Sequence, residues 1–400
     1  MLDMLKDSYQ RLLASTDSHV HRYLFDSFNI KNRLTGLIGA RGVGKTTLML
    51  QFIKEKLKSE PGVFYVSADH LYFSSHTLLA FVDMLYHNEG INLFFFDEIH
   101  KYPNWNQELK NIYDSYPNVK IVFSGSSSID LIKGSYDLSR RAKLFKLNGL
   151  SFREYLKFTT GVSYPVITLD QIINSHKEVI LNLADVPKLK GHFKDYLLSG
   201  YYPFSFEDRD SSSEKLLTII EKTIYEDIAK FYNLKTQNLI YFKKILNFFS
   251  SIPPGEININ NIAKNLGVDF KTIENYLWIL NEVGLIRFVY APDGGSRGLS
   301  KPIKTFINNT TLLSVINESL GEPLSFGSLR ELFFLQSLSN AGLAVFYSHI
   351  GDFQVDDNYF EIGGKNKKQK RNHYEPYLVK DDILYAGRKE LPLYLFGFLY

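Results

Sequence analysis

Apolar positions in the first 150 residues fall into short unbroken runs, each separated from the next by a segment with helical spacing. The runs are LTGLI at 34–38, VFYVSA at 63–68, LFFF at 93–96, VKIVFS at 119–124 and KLFKL at 143–147. Short apolar runs suit strands that are buried on both faces, as in a parallel sheet covered by helices. The pattern therefore predicts an α/β core with a parallel sheet over residues 31–155, after an amphipathic N-terminal helix within residues 1–30.

Beyond about residue 150 the pattern changes to apolar residues spaced three and four apart. Segments such as SFREYLKF and DQIINSHKEVILNLA predict helices, and residues 156–245 are interpreted as a helical lid or connector. Residues 246–310 contain helix, turn, helix and two strands, the order of a winged helix. Residues 311–400 mix a helix at RELFFLQSLSNAG with short strands at AVFYSH and LPLYLFGFLY, which predicts a small α/β domain.

Composition narrows the class of protein. The chain has 400 residues, more than one hydrophobic core usually holds, so two or more domains are expected. It contains no cysteine, which excludes disulfides and thiolate zinc sites. No apolar run approaches the roughly 20 residues that span a bilayer, and the start MLDMLKDSYQRLL does not resemble a signal peptide. We therefore expect a cytoplasmic protein. The net charge of +3 is too small to imply nucleic acid by itself.

A phosphate-binding motif lies between the first predicted strand and the helix TTLMLQFIKEKL. The segment GARGVGKT fits G-x-x-x-x-G-K-[ST], whose glycines let backbone N–H groups surround phosphates at a helix N-terminus. We expect Lys45 to reach the β- and γ-phosphates and the Thr46 hydroxyl to ligate magnesium. The predicted ligands are ATP and Mg²⁺, and the predicted nucleotide-binding residues are Gly39, Ala40, Arg41, Gly42, Val43, Gly44, Lys45, Thr46 and Thr47.

Two carboxylates end the third predicted strand. Asp97 is predicted to hold the magnesium shell as a Walker B aspartate, directly or through water. Glu98, the next residue, is predicted to polarise the attacking water as a general base. The alternative is a solvated acid at a strand end. His100 is interpreted as a surface or helix-capping histidine.

Serines and arginines around the next two strands complete the predicted site. Ser126 is predicted to face the γ-phosphate as a sensor, with Ser124 in reserve, although helix capping is an alternative for each. Arg140 and Arg141 precede the fifth strand and could supply a cation to the transferring phosphoryl group, on a neighbouring subunit. The alternative is a surface or ion-pair role.

The segments GARGVGKTT, LFFFDEIHKYPNW, VFSGSSSIDL and GLSFREYL together resemble a prokaryotic family of AAA-type ATPases that carry an uncharacterised C-terminal domain. The resemblance covers nearly the whole chain, including SGYYPF and KPIKTFINNTTLL. The ending LPLYLFGFLY is similar to members from Bacteroides-like bacteria. The resemblance implies that residues 31–155 are an AAA-type ATPase core.

The same resemblance implies a restriction-endonuclease-like fold for residues 311–400, in which acids and a Glu-x-Lys element bind magnesium and activate water. Glu331 would be the helix acid, and Asp356 and Glu361 the strand acids. Gln354 stands where members often have Glu, and a glycine stands where the lysine should be. We interpret the site as a degenerate, inactive nuclease fold; the alternative is that Lys365, two positions later, takes the place of the missing lysine.

The segment ININNIAKNLGVDFKTIENYLWILNEVGLI has the spacing of a helix-turn-helix. The first helix is expected around Ile262 to Leu266, with a turn at Gly267, an N-cap at Asp269 and a second helix that ends before Gly284. DNA would be contacted by Lys271, Thr272 and Asn275 on the second helix and by Arg297, Lys301 and Lys304 on the wing. The segment is slightly acidic, so a structural or dimerising winged helix remains the alternative.

Together these features predict an ATP-dependent switch or remodeller whose leading target is DNA. A homo-oligomer is one arrangement that they allow. The rival hypothesis is a regulator that hydrolyses ATP slowly or not at all and binds a protein partner. A third hypothesis is an ATP-regulated nuclease.

Overall fold

The computed structural model describes residues 2–58, 62–125, 138, 140–183, 185–255, 258–292, 302–368, 375–385, 387 and 389–400. The chain divides into two compact units, Met1–Gly149 and Leu150–Tyr400. Each unit is described by itself below. The finer five-segment division expected from the sequence stays a prediction.

Unit 1 is built on a parallel sheet. Its described residues contain five strands, β1 (Leu34–Ile38), β2 (Val63–Ser67), β3 (Leu93–Asp97), β4 (Lys120–Gly125) and β5 (Ala142–Lys146). The strand order is β2-β3-β4-β1-β5, and all neighbours run parallel. Every residue of β1 and β3 is buried, as the unbroken apolar runs predicted. The five expected strands of an α/β core are confirmed.

Helices pack on this sheet. They are α1 (Leu2–Ser15), α2 (Lys45–Lys56), α3 (Leu78–Glu89) and α4 (Trp105–Ser115), with 3-10 turns at Leu71–Ser74 and Ile99–Lys101. Thr77 caps α3 by accepting from the Ala80 N–H at 3.1 Å, and Gly90 ends it with a φ of 69°. The rings of Phe81, Phe94 and Phe96 are fully buried at the centre of the core.

The first part of unit 2 is helical, as expected. Its helices are α5 (Phe152–Thr160), α6 (Leu169–Asn174), α7 (His176–Asn182), α8 (Leu189–Ser199), α9 (Ser212–Lys222), α10 (Ala229–Tyr232) and α11 (Thr236–Ser251). A π-helical turn at Thr223–Ile228 joins α9 to α10. The segment DQIINSHKEVILNLA forms two helices, because Ser175 leaves the helical conformation between α6 and α7.

Two helices and a pair of antiparallel strands follow α11. They are α12 (Ile259–Leu266), α13 (Phe270–Glu282), β6 (Ile286–Val289) and β7 (Lys304–Ile307). Gly267 takes a φ of 66° between the helices, and the Asp269 side chain caps α13 through the Thr272 N–H at 3.0 Å. The turn at Gly267 and the cap at Asp269 lie where they were expected, and the first helix begins earlier than expected, at Ile259. The winged-helix assignment stays a prediction.

The C-terminal part contains α14 (Thr310–Leu320), α15 (Phe326–Asn340) and the strands β8 (Phe346–Tyr347), β9 (Phe353–Val355), β10 (Asn358–Gly363), β11 (Tyr377–Lys380) and β12 (Glu390–Pro392). The sheet order is β12-β11-β10-β9-β8, with β10, β11 and β12 parallel and β8, β9 and β10 antiparallel. The ring of Phe334 on α15 packs against Phe353, Phe360 and Phe396.

The expected strand at LPLYLFGFLY is wrong. Only its first two residues belong to β12, and Leu393–Phe398 is a fully buried 3-10 helix. A Cβ atom at Gly397 would lie 2.4 Å from the Phe152 Cβ, so this turn packs directly against α5. A continuous apolar run cannot distinguish a buried strand from a buried helix by its periodicity.

Over the residues that the structure describes, no helix combines the length and apolar character required to cross a membrane.

Candidate functional site

The phosphate-binding motif forms the turn between β1 and α2. Gly42 and Gly44 take φ values of 79° and 92°, which side chains on L-residues disfavour. Gly44 is the N-cap of α2 and no side chain caps the helix there. The first N–H groups of α2 can therefore bind an anion without competition from a capping side chain.

Gly39 is required by close packing at the start of the same turn. A Cβ atom there would lie 2.3 Å from the Leu147 carbonyl oxygen, just after β5. The Leu147 N–H also donates to the Ile38 carbonyl at 2.8 Å. The backbone just after β5, the strand that pairs with β1, thus packs against the start of the P-loop.

The Lys45 side chain lies inside the loop. Its residue is 5% exposed, and its ammonium donates to the Gly39 and Ala40 carbonyl oxygens, each at 2.9 Å. A buried ammonium held by the carbonyl oxygens of the loop provides strong electrostatic attraction for phosphate oxygens.

The Asp97 carboxylate at the end of β3 joins the elements of the site. Its Oδ2 accepts from the Thr46 hydroxyl at 2.5 Å and from the Tyr65 hydroxyl at 2.9 Å, and its Oδ1 accepts from the Ser124 hydroxyl. The structure thus brings together Thr46 and Asp97, the two predicted magnesium ligands. Burial and Asp97 raise the pKa of Tyr65 well above its usual value, so this hydroxyl keeps its proton and donates.

Glu98 has a strained backbone. Its φ is 50°, a left-handed conformation that is uncommon outside glycine. The conformation is held by its N–H, which lies 3.1 Å from both the Asp97 Oδ1 and the Ser124 Oγ. Such strain, at a cost of order 1–3 kcal/mol, concentrates at functional sites.

The surface role expected for His100 is wrong. The side chain is 3% exposed, and its Nε2 lies 3.4 Å from the Glu98 Oε2. His100 belongs to the 3-10 turn Ile99–Lys101, which follows Glu98 directly after β3. The sequence signal for this contact is its spacing of two residues from Glu98 in a tight turn.

Ser126 lies outside the described residues. Ser124, the reserve choice, is completely buried between the two acids, where it donates to Asp97 and accepts from the Glu98 N–H. Its position on β4, between β1 and β3 in the sheet, explains why it reaches Asp97.

Arg140 and Arg141 lie at the amino ends of the strands, whereas the P-loop follows the carboxyl end of β1. Ala142, the first residue of β5, pairs with Leu34, the first residue of β1, so the arginines are separated from the P-loop by about 15 Å of strand. Arg140 is exposed. The Arg141 guanidinium lies 3.4 Å from the Asp114 carboxylate. Within one chain these arginines do not face the P-loop.

In unit 2, Glu331 and Glu361 enter one cluster of charged groups, but Asp356 does not. Asp356 is exposed in the two-residue turn between β9 and β10 with a φ of 49°, a conformation that aspartate tolerates. Asp352, before β9, is the acid that faces the cluster, and its Oδ2 accepts from the Ile362 N–H at 2.6 Å. The sequence analysis put Asp356 in this cluster, and the structure places Asp352 there instead.

Two ammonium groups neutralise this cluster. The Lys367 Nζ lies 2.8 Å from the Glu361 Oε1, and the Lys304 Nζ lies 3.7 Å from the Glu331 Oε2. Lys365, which was the alternative for the missing lysine, is exposed, and Lys367 is the lysine that pairs with Glu361. Among the described residues no group of three or more acids and histidines is arranged to hold a metal ion. Lysines thus neutralise the acids that a nuclease would use for magnesium.

The predicted DNA contacts divide into accessible and inaccessible groups. Lys271 and Asn275 are exposed at the start of α13. Arg297 and Lys301 lie outside the described residues. Lys304 does not project from a wing, because its side chain is 12% exposed and pairs with Glu331.

A parallel α/β sheet with a P-loop and an acidic strand end facing it defines a P-loop nucleotide-binding domain. Residues 31–156 match the family described as AAA domain, and residues 190–320 match the one described as Domain of unknown function (DUF8612). Residues 31–156 are therefore similar to an AAA domain. This confirms the P-loop, AAA-type part of the expected family.

The chain is similar to two uncharacterized proteins of Methanocaldococcus jannaschii. It is 29% identical to MJ1637 over 320 residues, which are 76% of this chain and 67% of that protein. It is 24% identical to MJ1544 over 363 residues, which are 86% of this chain and 76% of that protein. The expected Bacteroides-like source stays a prediction.

Solved structures similar to the chain include AMPPCP-bound DnaA from Aquifex aeolicus, with 17% identity, a TM-score of 0.26 and coverage of 70% of this chain and 86% of that one. A second is the replication initiator DnaA bound to AMPPCP and single-stranded DNA, with 20% identity, a TM-score of 0.26 and coverage of 65% and 85%. TM-scores this low support no argument about this chain.

Proposed function

We propose that the chain binds and hydrolyses Mg-ATP and uses this cycle as a molecular switch or remodeller. The observation that carries the proposal is the shared Asp97 carboxylate, which joins the P-loop hydroxyl of Thr46 to the strand end that bears Glu98. The AAA domain match over residues 31–156 supports the nucleotide-binding half of the proposal.

The residues at the P-loop fit a magnesium ion carried by ATP. Thr46 and Asp97 present hard oxygen donors 2.5 Å apart, the donor type that Mg²⁺ prefers. The ion would neutralise charge on the phosphates. Lys45 supplies a fixed positive charge beside them, and the uncapped start of α2 supplies N–H donors.

Glu98 is proposed as the general base. Its backbone N–H is held by Asp97 and Ser124, which fixes the origin of the side chain at the strand end beside the P-loop. The His100 Nε2 lies 3.4 Å from the Glu98 Oε2, where a protonated imidazole ring would form an ion pair with the carboxylate. A positioned base of this kind contributes about 10² to 10⁴ in rate.

Turnover and binding measured separately test this assignment. Glu98→Gln should lower hydrolysis at least about a hundredfold while leaving the ATP dissociation constant within about threefold of wild type. Lys45→Ala should weaken binding itself. Hydrolysis that persists in Glu98→Gln would remove Glu98 from the mechanism. Wild-type protein that binds ATP without turnover would favour the rival hypothesis, a regulator that binds a protein partner.

We also propose that residues 246–310 form a winged helix that contacts DNA. The order α11, α12, α13, β6, β7 and the exposed Lys271 and Asn275 support this. Binding to duplex DNA at several salt concentrations tests it: Lys271→Ala should reduce the salt slope by about one. A slope equal to wild type would favour a structural or dimerising role.

The ATP-regulated nuclease is the least supported hypothesis, because Lys304 and Lys367 neutralise its acids. Plasmid cleavage with Mg²⁺ or Mn²⁺ that is lost in Glu361→Ala would reverse this order. Homo-oligomer formation and the expected cytoplasmic location stay predictions.

A further inference from the structure

Arg22 is a buried arginine outside the motifs that the sequence revealed. It is 5% exposed and lies in the segment between α1 and β1. Its Nη1 donates to the Val43 carbonyl inside the P-loop, and its Nη2 donates to the Asn148 carbonyl at 2.7 Å. One guanidinium therefore bridges the phosphate-binding turn and the segment that follows β5.

The segment that carries Arg22 is itself held in place along α2. The Gln51 amide donates to the Asp17 and Val20 carbonyls at 2.8 and 3.1 Å, and the His21 ring lies 2.8 Å from the Glu55 carboxylate. The Tyr23 hydroxyl, next to Arg22, donates to the Lys146 carbonyl at 2.9 Å. Arg22 thus has a fixed origin as well as two fixed acceptors.

Peptide geometry connects this bond to phosphate binding. A trans peptide is planar, so the carbonyl of one residue and the N–H of the next point in opposite directions. Fixing the Val43 carbonyl toward Arg22 therefore directs the Gly44 N–H away from it. Gly44 has a φ of 92°. Because glycine has no side chain, its backbone can adopt many conformations and its own structure does not fix the direction of its N–H.

We propose that Arg22 is a positioning residue that orients the Val43–Gly44 peptide so that the Gly44 N–H faces the bound phosphates. Arg22 touches no substrate in this arrangement and acts through the backbone. The inference rests on the proposed binding of Mg-ATP by the P-loop.

Arg33 provides a matched control. It lies immediately before the amino end of β1, and the P-loop follows the carboxyl end of the same strand. Its guanidinium also donates to backbone carbonyls, those of Tyr113 at 2.6 Å and Tyr116 at 2.8 Å. Arg22→Ala and Arg33→Ala each remove a guanidinium from buried or half-buried carbonyls. Only the first disturbs the P-loop.

The test uses the full chain and measures the dissociation constant of Mg-ATP with a fluorescent ATP analogue, together with kcat, KM and the midpoint of thermal unfolding. Arg22→Ala should raise the dissociation constant and KM about tenfold with kcat within about twofold, the pattern for loss of binding shared by ground and transition states. Arg22→Lys, which keeps the charge and can bind one carbonyl, should give an intermediate value and secures the test if the alanine variant does not fold.

Arg33→Ala should lower the unfolding midpoint and leave the dissociation constant unchanged. The proposal is overturned if both Arg22 variants bind Mg-ATP within twofold of wild type, or if Arg33→Ala weakens binding as much as Arg22→Ala. If wild-type protein itself fails to bind Mg-ATP, the proposed function is wrong and this inference falls with it.

Discussion

Among the described residues, three hydroxyl groups donate to the Asp97 carboxylate, and each comes from a different element. Thr46 lies on α2, Tyr65 on β2 and Ser124 on β4. A carboxylate that accepts several hydrogen bonds is fixed in orientation. The site is thus a small hydrogen-bond network around Asp97. Tyr65 is the member that the sequence did not predict, because no motif includes it.

Tyr65→Phe removes one of these donors and should loosen the carboxylate. A hydrogen bond to a charged group contributes about 1.5–3 kcal/mol, so we expect the Mg²⁺ concentration that half-saturates ATP binding to rise about tenfold or more. Binding of ATP in EDTA should not change. The control is Tyr116→Phe, whose hydroxyl donates to the Asp83 carboxylate away from the P-loop. An equal Mg²⁺ dependence in all three proteins would show that Tyr65 does not position Asp97.

Glu331 should make stability depend on pH. Burial, and then the neighbouring Asp352 carboxylate, raise the pKa of Glu331 to about 7. The folded protein therefore holds a proton between about pH 4.5 and 7 that the unfolded chain releases. The resulting stability is fully present below about pH 4 and is lost as pH rises through 7.

Glu331→Gln removes this dependence, because an amide mimics the neutral acid. At pH 8 the variant should be more stable than wild type by roughly 3 kcal/mol, from the size of the pKa shift, whereas at pH 4.5 the two should be similar. Urea unfolding at both pH values measures this. Glu361→Gln should act in the opposite direction at pH 8, since it removes the carboxylate 2.8 Å from Lys367. A Glu331 variant less stable than wild type at pH 8 would contradict the assignment.

At the scale of elements, the first helix of unit 2 begins with a capping box, in which two side chains bind backbone N–H groups of the first turn. The Ser151 hydroxyl accepts from the Glu154 N–H at 3.1 Å, and the Glu154 carboxylate accepts from the Ser151 N–H at 3.1 Å. This capping box on α5 is buried, with Ser151 at 1% exposure. Water cannot replace its hydrogen bonds if the hydroxyl is lost.

Ser151→Ala should therefore destabilise unit 2 by about 1–2 kcal/mol. Thr168→Ala, in the exposed capping box of α6, is the matched control and should cost less, because water can reach its N–H groups. Thermal unfolding of the full chain compares the two. A smaller loss for Ser151→Ala than for Thr168→Ala would mean that burial does not strengthen the box.

At the scale of the whole molecule, Arg140 lies at the amino end of β5, and the P-loop lies at the carboxyl end of the neighbouring strand β1. A cation at the amino ends of the strands can serve a phosphoryl group only in another copy of the chain. Arg141 is less available, because Asp114 holds its guanidinium at 3.4 Å.

Arg140→Ala should lower kcat by 10² or more with ATP affinity unchanged, since cations supplied in trans to phosphoryl transfer contribute about 10³ to 10⁵. Mixing Arg140→Ala with Glu98→Gln should restore part of the activity, because one variant keeps a complete site and the other keeps the arginine. Arg141→Ala should have a smaller effect on kcat. Activity of Arg140→Ala that equals wild type would assign the arginine to the surface.

The sequence by itself determined the elements that depend on neighbouring residues. Buried parallel strands require continuous apolar runs, and β1 to β5 were found from them. The P-loop needs its glycines and lysine at fixed spacing, and the acids of β3 follow directly from a strand end. The turn at Gly267 and the cap at Asp269 were found because each acts within a few residues.

Only the tertiary structure decided which distant side chains meet. Sheet pairing brings Tyr65 to Asp97 across β2 and β3, and packing brings Arg22 to Val43. The register of the β9–β10 hairpin puts Asp356 in the turn and leaves Asp352 facing Glu331. Local spacing carries no information about strand register or about which buried charges neutralise one another, since both are set by contacts between residues far apart in the chain.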